Sequence, residues 1–129
     1  MLQIINIKKK PKRVVILGGG FVSSAIEKIL NYNKISNIVL SRKKIDLTLK
    51  SSEKKLQNIL KKEDTLIFVA AKAPVKNEVI FLKNLLICRT VCGVLKKKIV
   101  KHLIYISSDA VYADSKKPLT ENSITKPES

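Results

Sequence analysis

The sequence predicts an α/β fold built on a parallel, doubly wound sheet. Three observations predict it. Residues 13–17 (RVVIL), 65–71 (TLIFVAA) and 102–107 (HLIYIS) are nearly unbroken apolar runs. Such runs mark strands buried on both faces, not the alternation of a one-sided sheet. The segments between them repeat apolar residues every three or four positions, which is helical spacing. Strand and helix alternate along the chain, and right-handed crossovers then place helices on both sides of the sheet.

Each element follows in order. The run 13–17 ends in Gly18-Gly19-Gly20. From residue 21 to about 30, Val22, Ala25, Ile26, Ile29 and Leu30 share one helical face. Residues 37–40 form a second short strand. Ser51 or Ser52 is read as the cap of a helix running to about residue 62, with Leu56, Ile59 and Leu60 buried. The strand at 65–71 is followed by a long helical pattern over 77–97 and the last strand at 102–107. The polar segment 109–129 carries Pro118 and Pro127. It reads as a loop over the C-terminal edge of the sheet, where ligands sit in open α/β folds.

The chain of 129 residues is long enough for one core. It divides into a basic N-terminal extension, 1–12, and one domain, 13–129. No apolar run approaches the roughly 18–20 residues of a membrane span. The apolar start precedes Lys8-Lys9-Lys10, the reverse of a signal peptide. A cytoplasmic protein without a membrane partner is expected. The net charge is +16, yet only Arg13, Arg42 and Arg89 among the 26 basic residues are arginines, and there is no Trp. Specific nucleic-acid recognition leans on Arg forks and stacking aromatics, so no such partner is expected. The excess of Lys, Asn and Ile looks like the product of an AT-rich genome. Cys88 and Cys92 fall on one face of the long helix and are read as small apolar residues turned inward. With His102 the only histidine, no metal site is expected.

The turn Gly18-Gly19-Gly20-Phe21-Val22-Ser23 spells G-x-G-x-x-S between a strand and an amphipathic helix. That context is what the dinucleotide fingerprint of a Rossmann-type domain requires. Gly18 permits the sharp turn, and Gly20 lets a pyrophosphate approach the backbone and the positive end of the following helix. Ser23 replaces the usual third glycine and, being small, is a tolerable departure. After the second strand the chain reads Ser41-Arg42-Lys43-Lys44, with no acidic residue for ribose hydroxyls. Cations there suit a 2′-phosphate, so the cofactor is NADP or NAD, with NADP favoured.

Ser107-Ser108-Asp109-Ala110-Val111-Tyr112, then Pro118-Leu119-Thr120-Glu121 and Lys126-Pro127-Glu128-Ser129, carry a more specific signal. Together with Gly20-Phe21-Val22 they resemble the extended short-chain dehydrogenase/reductases, the NAD-dependent epimerase/dehydratases. The resemblance covers nearly the whole chain after residue 13. It implies an NAD(P)-binding portion of a sugar-nucleotide epimerase, dehydratase or reductase. It implies a nucleotide-sugar substrate and allows a homodimer in the full-length form. Ser108 falls at the catalytic Ser/Thr, whose hydroxyl would bond the reacting oxygen. Gly18, Gly20, Phe21, Val22, Ser41, Arg42 and Ser107 fall at cofactor positions. Asp46-Leu47 resembles the pair that contacts adenine, and Ala70-Ala71 the small residues against which the cofactor lies. Asn84 resembles the Asn of the next helix.

The sequence also departs from that family. The glycine turn is one residue shorter than the common G-x-x-G-x-x-G, and Ala110 stands where the dehydratase branch has Glu. In this family Ser129 would be followed almost at once by Tyr-x-x-x-Lys. Tyr112 belongs to the Val-Tyr run, and no lysine follows it at that spacing in a helix. The Rossmann-type fold is thus expected to be incomplete and the chain inactive alone. The alternative is a stand-alone nucleotide-binding or regulatory module without catalysis, and a third reading is a basic protein associated with nucleic acid.

Overall fold

A computed structural model describes residues 10–126. Four strands, β1 (Arg13–Leu17), β2 (Asn37–Leu40), β3 (Asp64–Phe68) and β4 (His102–Tyr105), form one parallel sheet in the order β2-β1-β3-β4. The connections are α1 (Phe21–Tyr32), α2 (Ser52–Ile59) and α3 (Glu78–Lys97), and a 3₁₀ turn, Asp109–Val111, follows β4. The expected α/β doubly wound sheet is present. The strand order reverses between β1 and β3, so a crevice opens there beyond their C-terminal ends.

Alternation along β1 and β3 splits the core in two. Val15, Leu17, Leu66 and Phe68 pack with Leu56 and Leu60 near α2, and with Ile87, Val91 and Val94 of α3. On the opposite face, Val14, Ile16 and Ile67 meet Ile26 and Leu30 of α1. Every residue of β3 is buried, whereas every residue of β4 is exposed. β4 lies at the sheet edge, with Tyr105 tilted against Phe68 at 5.4 Å between ring centres.

The N-terminal ends of β1 and β3 are locked by a charge pair. Arg13 donates from Nε and Nη2 to the two carboxylate oxygens of Asp64, at 2.8 and 2.6 Å, and from Nη2 to the Ile59 carbonyl. The Lys61 amide donates to the same carboxylate at 2.7 Å. Burial pushes the Asp64 carboxyl up, but the Arg13 and Lys61 hydrogen bonds outweigh it and hold it below the usual carboxylate range.

Several boundaries and one burial expectation differ from the sequence reading. α1 runs two residues further, to Tyr32, and α2 stops at Ile59, where Leu60 turns extended. Ser51 stands at the N-cap position of α2, but its side chain makes no capping hydrogen bond. The Ser52 hydroxyl donates to the Asp46 carbonyl at 2.6 Å instead. α3 is capped by Asn77, whose side chain accepts from the Ile80 amide at 3.0 Å. Cys88 and Cys92 share a face, with sulfurs 3.9 Å apart, but both are exposed. The sheet buries the stripe of Ile87, Thr90, Val91 and Val94. The cysteines continue a second stripe, Phe81 and Leu85, that stays half-exposed. Periodicity reveals two apolar stripes on α3 but not which one meets the sheet.

Candidate functional site

The crevice between β1 and β3 is lined by residues from three strand ends. Gly18 and Gly19 follow β1; Leu40 ends β2, and Arg42 and residues 45–48 follow it; Ala70, Ala71 and Lys72 follow β3. Backbone hydrogen bonds fix these ends together. Gly18 N–H donates to Leu40 at 3.1 Å, and Val69 N–H donates to Leu17 at 2.9 Å.

Gly18 has φ +131°, a region that L side chains rarely adopt. Gly19 has a different reason to be glycine: a Cβ there would meet the Ser41 Cβ at 2.6 Å. The sequence reading gave roles to Gly18 and Gly20 and missed this close approach, which only the neighbouring β2 end reveals. Gly20 has open space where a Cβ would stand and precedes α1 with no side-chain cap. The first N–H groups of α1 therefore face that space as the positive end of a helix. Ser23 takes the third-glycine position fully buried, and its Oγ has no hydrogen-bond partner among the described residues.

Asp46 is built into the cleft by its own turn. Its Oδ1 accepts from the Thr48 hydroxyl at 2.6 Å and the Thr48 amide at 3.0 Å. These bonds, the hydroxyl foremost, lower its pKa below the ordinary carboxylate value. Arg42 reaches Asp46 Oδ2 at 3.4 Å with a mostly exposed guanidinium. Ser41 lies behind Gly19, and its carbonyl accepts from the Lys44 and Ile45 amides. Leu47 is buried and lines the cleft floor with Ile45. Asn84 clamps the β3 end, accepting from Lys72 N–H at 2.8 Å and donating to the Lys72 carbonyl at 2.9 Å. Thr48 and Lys72 were missed from sequence. An Asp followed two residues later by Thr is a turn signal that would have pointed to Thr48.

Other expected residues do not line this crevice. Phe21 and Val22 begin α1, and Phe21 is 90% exposed. Ser107 and Ser108 are exposed beyond β4, at the same end of the sheet. The Ser108 hydroxyl accepts from Ala110 N–H at 3.2 Å and donates to the Asp109 carboxylate at 3.1 Å, so it caps the 3₁₀ turn. Tyr112 and Lys116 stand four residues apart but on no helix; Tyr112 pairs across an antiparallel bridge with Thr125. Among the described residues there is no metal-binding cluster of three or more His, Cys, Asp or Glu. No helix there is long and apolar enough to cross a membrane.

The sequence model of the NAD-dependent epimerase/dehydratase family matches residues 14–129. No curated protein matches the chain. Among solved structures, it is similar to a GDP-L-fucose synthetase from Naegleria fowleri, with a TM-score of 0.71 and 22% identity over 95% of this chain and 39% of that one. An ADP-L-glycero-D-manno-heptose-6-epimerase from Helicobacter pylori gives 0.71 and 22%, covering 92% and 46%. A dTDP-4-dehydrorhamnose reductase from Bacillus anthracis, in complex with NADP, gives 0.71 and 22%, covering 92% and 44%. The chain thus spans less than half the length of each.

Proposed function

The chain belongs to the NAD-dependent epimerase/dehydratase family, and from that premise we propose that it is the NAD(P)-binding portion of a sugar-nucleotide epimerase, dehydratase or reductase. One observation carries the reading. Gly18, Arg42, Asp46, Leu47, Ala70 and Ala71, which follow three different strands in sequence, line a single crevice at the switch point of the sheet.

The residues fit a dinucleotide. Gly20 and the uncapped start of α1 would hold the pyrophosphate, with Phe21 and Val22 as the first turn behind it. Asp46, fixed as a carboxylate by Thr48, and Leu47 would hold the adenine. Arg42, beside Ser41, would meet a ribose 2′-phosphate, which makes NADP the favoured cofactor. Ala70 and Ala71 leave room beside the backbone for the nicotinamide half, and Ser107 lies on the next strand end. When bound, the nicotinamide supplies hydride transfer to or from the sugar carbon. Ser108 would turn its hydroxyl from Asp109 to the reacting oxygen of a nucleotide-sugar substrate. Among the described residues no Tyr-x-x-x-Lys pair lies on a helix, so we propose that residues 1–129 do not turn over alone. Oxidation or epimerisation of a sugar nucleotide by the purified chain would overturn that.

Calorimetric titration tests the cofactor reading. NADP binds more tightly than NAD, Arg42→Ala weakens NADP by about tenfold with little effect on NAD, and Gly18→Val abolishes both. NAD binding as tightly as NADP would remove the preference. Binding of neither would remove the reading itself.

A further inference from the structure

The opposite end of the sheet has a character of its own. All four strands start there, so the segments entering them converge on one face. Segment 10–12 brings two lysines, 33–36 one, 60–63 two and 96–101 four. The carboxylates beside these nine lysines are Glu63 and Asp64, with Glu53 reached by Lys97 at 3.7 Å. Asp64 is committed to Arg13, and Glu63 is shared by Lys12 and Lys101 at 3.5 and 3.9 Å. Lys34, Lys62 and Lys96 form no ion pair with a carboxylate among the described residues. The Lys-rich composition of the whole chain bears on how many lysines there are, but not on why they gather with so few carboxylates on the end away from the crevice.

The same face exposes apolar side chains. Ile99, between Lys98 and Lys101, is 76% exposed. Tyr32 ends α1 at 88%, and Ile29, one turn earlier on the same helix face, is 63% exposed. β2 and β4 are three strand spacings apart, about 14 Å. The apolar tips thus stand toward the two sides of the lysine field rather than in one pocket.

We propose that this face docks on an anionic phospholipid surface. Lysine suits a diffuse negative field, and the one arginine of the face is spent inside the fold. Ile99 and Tyr32 gain by entering the headgroup boundary, whereas phosphates of a nucleic acid would give an exposed isoleucine nothing. The absence of a membrane span does not bear on such peripheral contact. Docked this way, the chain turns its nucleotide crevice away from the membrane.

The test uses the 129-residue chain and vesicles made of equal parts phosphatidylcholine and phosphatidylserine. The chain co-floats with them, and binding fades as salt rises from about 0.05 to 0.3 M. It does not co-float with pure phosphatidylcholine. Lys34→Glu, Lys62→Glu and Lys96→Glu together lower binding by at least about tenfold. The sequence has no Trp, so Ile99→Trp gives a single reporter whose emission shifts to the blue on the mixed vesicles, while Phe21→Trp at the other end does not shift. Equal binding to neutral vesicles, indifference to the charge reversals, or a shift at position 21 instead of 99 would overturn the proposal. So would single-stranded poly-uridylate displacing the vesicles at equal phosphate concentration, which would make the face a nucleic-acid surface.

Discussion

β3 and β4 are neighbours in register, yet the two strands and the turns that leave them are built differently. After β1 and β3 the chain is tied to other elements of the fold: Gly18 to Leu40, Gly19 against Ser41, Val69 to Leu17 and Lys72 to Asn84 of α3. After β4 the last tie to the sheet is Ile106 N–H to the Phe68 carbonyl at 3.0 Å. Among the described residues, the hydrogen bonds of segment 107–125 then close within the segment: Ser108 with Ala110, Ala113 with Ile124, Thr120 with Ser123. The crevice is therefore a product of the core, while the position of Ser108 is a product of a local turn. A dinucleotide site inherits the rigidity of the strands that frame it; the candidate catalytic hydroxyl inherits only that of its own cap.

The sharpest way to break this contrast uses two leucines paired across the sheet, Leu66 on β3 and Leu103 on β4. Leu66 is wholly buried and Leu103 is 45% exposed. Leu66→Ala should cost about 3 kcal/mol, within the usual range for a buried leucine, and Leu103→Ala about 1 kcal/mol or less. Urea unfolding of both variants checks it. Equal losses would mean that β4 is as much a part of the core as β3.

A second test sharpens the account of what anchors β3. The Asp64 carboxyl is held below its unfolded value, near 3.9, so its contribution is fully present above that pH. It is lost as pH falls through the lower folded value. Asp64→Asn should destabilise the protein by about 2 kcal/mol at neutral pH. That is less than for a fully buried pair, because Arg13 reaches solvent. The variant should also flatten the acid limb of the stability profile, measured by urea midpoints from pH 7 to about 3. An unchanged acid limb would transfer that dependence to other carboxylates, Asp46 first among them.

The same contrast governs what the sequence could reveal. β1 and β2 were legible to the residue, because an unbroken apolar run bounded by turn residues admits little else. The glycine turn was legible as a strand-to-helix joint. The role of Gly19 was not, since it depends on Ser41, 22 positions later and across a sheet contact. Nor was the end of β3. Residues 69–71 continue the apolar run but lie beyond the paired length of the strand: Val69 packs with Val14 and Ile16, and Ala70 and Ala71 line the crevice. The convergence of lysines was hidden for a related reason. They are scattered in sequence and meet only because every parallel strand begins at the same end.

The smallest effect bears most directly on chemistry. In Ser108→Ala the 3₁₀ turn loses one hydrogen bond from Ala110 N–H and one to Asp109, both solvent-exposed. Thermal unfolding should shift by no more than about 0.5 kcal/mol. NADP affinity should stay within twofold of the parent by calorimetry, because the crevice is framed by other strand ends. If Ser108→Ala instead weakened NADP binding about tenfold, a difference of roughly 1.4 kcal/mol, the hydroxyl would be part of the cofactor site. The separation between a core-built crevice and a locally built turn would then fail. If affinity holds, Ser108 lies outside the cofactor site, and the proposed contact with a substrate oxygen would exchange the bond its hydroxyl donates to Asp109 while it still accepts from Ala110 N–H.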